Sequence, residues 1–141
     1  MLEILYEKKN RLKPEYQHLP GSEIAALKRA GQEITSAELT PEVAYTGDTT
    51  IEAFTTAAND GRSKDLFQVK LLITEATYAD SKMTSQDAID RGHMHIDQIA
   101  DSDVDTLVLV HFSTRYSAEQ LADCIQTRLP LSLQQKTILG C

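Results

Sequence analysis

Thr106-Leu107-Val108-Leu109-Val110, followed at once by His111, is the stretch on which the reading of this chain turns. A short, nearly continuous apolar run rich in β-branched residues is what a strand covered on both faces requires. Two runs of the same kind lie upstream, Glu42-Val43-Ala44-Tyr45-Thr46 and Lys70-Leu71-Leu72-Ile73-Thr74. Together they predict a buried sheet.

The segments between the runs carry helical signals. Thr49-x-x-Glu52 and Ser117-x-x-Gln120 have the form of a capping box, in which a hydroxyl and a later carboxyl or amide satisfy the opening amides of a helix. After Ser117, Leu121, Ile125 and Leu129 recur along one helical face, which should pack on the sheet. Ser22 to Ala30 reads as a short helix ended by Gly31. Thr84 to about Asp101 carries Ala88, Ile89, Ile96, Ile99 and Ala100 at helical spacing, broken at Gly92, as a helix interrupted by a turn. The tail from Gln134 to Cys141 gives no strand or helix signal. Strand, helix, strand, helix, strand, helix is an α/β layout.

Composition agrees with one ordinary globular domain over residues 1–141, with 41% hydrophobic and 25% charged residues. A formal net charge of -7 repels phosphate backbones on average and excludes a generic basic nucleic-acid coat, so any nucleic acid needs a local basic patch or a metal. No apolar stretch reaches the ~18 residues of a membrane span, and the N-terminus lacks a signal-peptide pattern, so a cytoplasmic protein without a membrane partner is expected. Cys124 and Cys141 have no C-x-x-C spacing and read as free thiols.

Each apolar run delivers a chemically active residue just past its end: Gly47-Asp48 after the first, Glu75 after the second, His111 after the third. In open α/β sheets ligands bind beyond the carboxyl ends of the strands, where such side chains can converge. His93 and His95, in Gly92-His93-Met94-His95, lie between the second and third runs and could reach the same rim. Carboxylate and imidazole together suit zinc, iron or manganese. Taken singly, each has an ordinary reading: Asp48 as a turn residue, Glu75 as a charged strand end, His111 as a satisfied core histidine, the spaced histidines as part of an exposed turn. Three placements at strand ends are harder to explain that way than one.

Four segments then match a known pattern in register: Val43-Ala44-Tyr45-Thr46-Gly47-Asp48-Thr49, Glu75-Ala76-Thr77-Tyr78, Gly92-His93 and His111-Phe112-Ser113-Thr114-Arg115-Tyr116. The chain resembles the C-terminal part of ribonuclease Z, the tRNA 3′-processing endonuclease of the metallo-β-lactamase superfamily. The upstream Leu19-Pro20-Gly21 and Leu27-Lys28 are similar to the segment that precedes Gly-Asp-Thr there. The resemblance implies an α/β fold that is the C-terminal half of a metallo-β-lactamase αβ/βα sandwich. It implies that Asp48 bridges two zinc ions, with manganese or iron possible in their place, and that His111 is a ligand to one of them. It implies that Glu75 orients His93, which gives a proton to the leaving 3′ oxygen, and that Arg115, with Ser113 beside it, contacts the RNA phosphate.

Two departures bear on that expectation. The family's H-x-H-x-D-H loop, which supplies most of the zinc ligands, occurs nowhere in these 141 residues. Half a sandwich also exposes an apolar sheet face, which calls for a partner: a missing N-terminal half, a homologous subunit, or a second copy in a homo-oligomer such as a dimer. The expected function is thus a zinc-dependent endoribonuclease acting on tRNA precursors, incomplete as this chain. The alternatives are an inactive partner or split subunit of a protein of that fold, and a hydrolase of a non-RNA ester.

Overall fold

The computed structural model describes residues 2–56 and 63–140. They hold a five-stranded sheet in the order β1 (Glu3–Leu12), β2 (Thr35–Tyr45), β3 (Leu71–Glu75), β4 (Thr106–Val110) and β5 (Thr137–Leu139). The last four run parallel, with Tyr45 opposite Ile73, Glu75 opposite Val110 and Val108 opposite Ile138. The helices are α1 (Gly21–Arg29), α2 (Ile51–Thr56), α3 (Ser63–Leu66), α4 (Ser85–Asp90), α5 (Ala118–Arg128) and α6 (Leu131–Gln134). The chain is α/β, as its alternating pattern predicts.

The third predicted run coincides with β4, the second lies one residue ahead of β3, and the first is the end of the longer β2. The tail, from which no element was expected, forms β5 by pairing Thr137, Ile138 and Leu139 with Leu107, Val108 and Leu109. Its stability comes from the β4 ladder rather than from its own composition.

The chain divides into two compact units, one comprising Met1–Leu5 with Pro41–Cys141 and the other Tyr6–Thr40. In the smaller unit the Lys13 amide donates to the Ile34 carbonyl at 2.9 Å. Its helix α1 starts one residue before the predicted Ser22, runs to Arg29 and is closed by Gly31, whose φ of 79° only glycine adopts cheaply. There the Gly31 and Gln32 amides return to the Lys28 and Leu27 carbonyls.

In the larger unit one face of the sheet is sealed. Ala44, Leu72, Leu107 and Leu109 are wholly buried and form one cluster with Met94, Ile96, Ile99, Leu121, Ile125 and Leu129. The predicted face of α5 is therefore the one that packs. Its start is the predicted box: Ser117 accepts from the Gln120 amide at 3.2 Å, and the Gln120 side chain accepts from the Ser117 amide at 2.8 Å. Ser117→Ala should lower stability by about 1 kcal/mol, read as a shifted urea midpoint with an unchanged slope.

Two expectations are corrected. Among the described residues the two faces of the strands are covered unequally: alternate residues Val43, Leu71, Ile73, Val108 and Val110 are only partly buried, while Tyr45 and Ile138 remain 45% and 55% exposed. Continuity of apolar residues cannot say which face is covered, because Val108 is as hydrophobic as Leu107. The Thr49 box does not form either, since the Thr49 hydroxyl donates to the Thr50 carbonyl and its amide is taken elsewhere. No helix among the described residues is long and apolar enough to cross a membrane. Cys124 is a free thiol pushed above its ordinary value by burial, and Cys141 lies outside the described residues.

Candidate active site

The parallel register brings the carboxyl ends of β2, β3 and β4 to one edge, so the residues just past them meet there. Glu75 ends β3 and is 1% exposed. A carboxylate out of water must be satisfied by the protein, and this one is. Its Oε1 accepts from the Thr49 amide at 2.7 Å, its Oε2 from the Met94 amide at 3.3 Å and from the Thr77 hydroxyl. Both oxygens lie 3.2 Å from His93 Nδ1.

His93 owes its place to the end of α4. Thr84 caps the start of that helix by accepting from the Asp87 amide, and Asp87 accepts in return from the Thr84 amide and hydroxyl, which holds its carboxyl below the ordinary value. At the other end Gly92, with φ of 76°, donates to the Ile89 carbonyl while the His93 amide donates to Ala88. This is a Schellman closure with glycine at its left-handed position. A side chain at Gly92 would strain the turn that aims His93 at Glu75.

His111 follows β4 in a left-handed conformation, φ 57°, uncommon for a residue with a Cβ and costly unless its surroundings enforce it. The enforcement is visible. The Ala76 amide donates to the Val110 carbonyl at 3.0 Å and the Ser113 amide to the Thr77 carbonyl at 3.0 Å, pinning the turn on both sides. His111 Nδ1 stands 3.5 Å from Asp48 Oδ1, and its ring centroid is 5.7 Å from that of His93. Asp48 and His111 are open to solvent, with side-chain exposures of 64% and 51%. Asp48, Glu75, His93 and His111 therefore meet at one rim, and Glu75, His93 and His111 offer ligand atoms within 4.8 Å of one another, a cluster able to hold a metal.

Arg115 and Ser113 stand just beyond. The Arg115 guanidinium donates to Asp80 at 3.0 Å and to the Tyr116 hydroxyl at 2.6 Å, and lies over the Tyr78 and Tyr116 rings. The Tyr116 hydrogen bond raises its already high pKa, against an opposing desolvation. It is a fixed cation rather than a free arm. Ser113 contributes its backbone to the turn.

His95 does not reach the rim. It is 1% exposed, donates from Nε2 to the Asp80 carbonyl at 2.8 Å and accepts at Nδ1 from the Asp97 amide, capping the 3₁₀ turn Ile96–Ile99. Both nitrogens are spent on structure, so the possibility that it shares the site is corrected. Thr77 is the residue that sequence reasoning passed over. The available signal was its spacing of two from Glu75, which keeps both side chains on one side of extended backbone.

No family model matches the chain. It is 38% identical over 137 residues to "tRNase Z TRZ2, chloroplastic" of Arabidopsis thaliana, covering 94% of this chain and 36% of that protein. To "tRNase Z TRZ1" of the same organism it is 37% identical over 131 residues, covering 90% of this chain and 45% of that protein. The chain thus spans less than half the length of these curated relatives.

Proposed function

From a chain that is a relative of the tRNase Z proteins over nearly its whole length, we infer a part of a metal-dependent endoribonuclease that cleaves a phosphodiester at the 3′ end of tRNA precursors. The carrying observation is the division of labour at the rim. Glu75 spends its lone pairs on Thr49, Thr77, Met94 and His93, whereas Asp48 and His111 lie side by side with exposed side chains.

Asp48 and His111 fit as part of a ligand set, with an oxygen and a nitrogen donor of the types zinc takes. A catalytic zinc has three or more protein ligands, so the remaining ones come from outside this pair. When bound, the metal would supply Lewis-acid activation of water and neutralise charge on the phosphoryl oxygens. The chain's own residues handle the proton. The Glu75 carboxylate fixes the Nδ1–H of His93, which leaves Nε2 as the atom that carries a proton to the departing ribose oxygen. Arg115, held by Asp80 and Tyr116, is the cation nearest in sequence to the His111 turn and is assigned to the RNA phosphate. Its rigid fork suits bidentate contact.

The open sheet face supports the finer architecture, half of a metallo-β-lactamase sandwich whose other half covers Tyr45, Ile73, Val108 and Ile138. That cover is a further segment of the same protein, a homologous subunit or a second copy, in a cytoplasmic setting. The same face favours the second reading, a subunit that pairs with a longer relative and does not turn over alone. Incubating the protein, once joined to an N-terminal half that carries the H-x-H-x-D-H loop, with a 3′-extended tRNA precursor and zinc decides between them. The first reading expects a mature-length product ending in a 3′ hydroxyl; the second expects no product and a stable complex with the longer relative.

A further inference from the structure

We propose that Thr77 is the positioning residue of this site, its hydroxyl setting the tautomer of His111 and tying that ring to the His93–Glu75 pair. Thr77 Oγ1 lies 3.2 Å from His93 Nδ1, 3.2 Å from His111 Nδ1 and 3.1 Å from the His111 carbonyl, and it contacts Glu75 Oε2. Thr77 is 7% exposed, so these are its partners rather than solvent.

A hydroxyl has one proton to give and lone pairs to receive. An ionised carboxylate is a stronger acceptor than a neutral carbonyl, so the proton goes to Glu75. Oγ1 is then an acceptor toward the rings. Glu75 can only accept, so the His93 nitrogen facing it carries hydrogen. His111 Nδ1 faces two acceptors, Thr77 Oγ1 and the Asp48 carboxylate, and carries hydrogen for the same reason. Both imidazoles are thereby placed in the Nδ1–H form, with the Nε2 lone pair of each available. No hydrogen-bond partner among the described residues engages either Nε2. Glu75 alone suffices for His93; at His111 the nearer acceptor is Thr77 Oγ1, at 3.2 Å against 3.5 Å for the exposed Asp48 carboxylate, so the Nδ1–H rests chiefly on Thr77. The Thr77 carbonyl, accepting from Ser113, and its hydroxyl, beside the His111 carbonyl, also brace the left-handed backbone of His111.

This deepens the hydrolase reading and rests on it for its purpose, but its test needs no turnover. Long-range proton–nitrogen correlation spectra of the nitrogen-15-labelled, metal-free protein at about pH 8.5, above the ordinary imidazole range, report each tautomer directly. Wild type should show the Nδ1–H pattern for both His93 and His111, and Thr77→Ser should keep it. Thr77→Val, which keeps the shape and removes the acceptor, should move His111 toward the Nε2–H or a mixed pattern while His93 stays as it was. An unchanged His111 in Thr77→Val, or an Nε2–H His111 in wild type or Thr77→Ser, overturns the assignment. The wild-type and Thr77→Ser spectra decide it even where Thr77→Val fails to fold. Loss of precursor cleavage with these spectra intact would count against the hydrolase reading instead.

Discussion

If the proposed function holds, His93→Ala in the protein completed by an N-terminal half that carries the H-x-H-x-D-H loop should lower turnover on a tRNA precursor by about 10²–10⁴-fold, the usual contribution of a positioned proton donor, while the metal content stays at the wild-type level. A departing ribose oxygen is a poor leaving group as an alkoxide, so the barrier is sensitive to a proton delivered in the transition state. The structure equips His93 for delivery. Its Nδ1 is 3.2 Å from both oxygens of a carboxylate that is itself fixed by two backbone amides and a hydroxyl, and the Gly92 turn sets the angle of approach. Binding should change little, so the loss belongs in kcat rather than KM. Single-turnover rates at saturating protein check this. A loss confined to KM would make His93 a substrate contact instead of a donor.

Glu75→Ala is the substitution with the largest expected structural cost, about 3 kcal/mol, because it removes the shared acceptor of several buried donors at once. The Thr49 and Met94 amides and the Thr77 hydroxyl would lose the carboxylate they share, and of the three only Thr77 keeps another acceptor, the His111 carbonyl. An unsatisfied buried donor costs about 1–3 kcal/mol, and partial entry of water from the exposed side of His93 keeps the sum below three full penalties. Glu75→Gln recovers part of the loss, since one amide oxygen still accepts while its NH₂ group meets the donors the second oxygen used to receive. Urea unfolding of both variants gives the values. A loss under about 1 kcal/mol in Glu75→Ala would show that water replaces the carboxylate without difficulty.

The same network explains which parts of this molecule could be read from its residues. Helix α5 was legible because its signals are local: Ser117 and Gln120 close the box within four residues, and Leu121, Ile125 and Leu129 define the packed face. The rim was legible because Asp48, Glu75 and His111 each lie within two residues after a strong apolar run, and parallel register does the rest. The failures are all non-local. Thr49 has the sequence of a cap, yet its amide is claimed by Glu75, whose negative charge makes it a stronger acceptor. His95 has the same spacing credentials as His93, but the Asp80 carbonyl and the Asp97 amide enclose it. Strand β5 exists through its neighbour β4, and the less covered side of the sheet is set by what else packs on it rather than by the strands themselves.

The central claim is that Asp48 and His111 hold metal while Glu75 and His93 move the proton. Elemental analysis of the zinc-loaded protein, completed by an N-terminal half that carries the H-x-H-x-D-H loop and carried through Asp48→Asn, His111→Ala, Glu75→Gln and His93→Ala under identical dialysis, tests it most directly. The account predicts that Asp48→Asn and His111→Ala lose zinc and that Glu75→Gln and His93→Ala retain it. Zinc kept in Asp48→Asn but lost from Glu75→Gln, His93→Ala and His111→Ala alike would assign the ion to the Glu75, His93 and His111 cluster and contradict the division of roles.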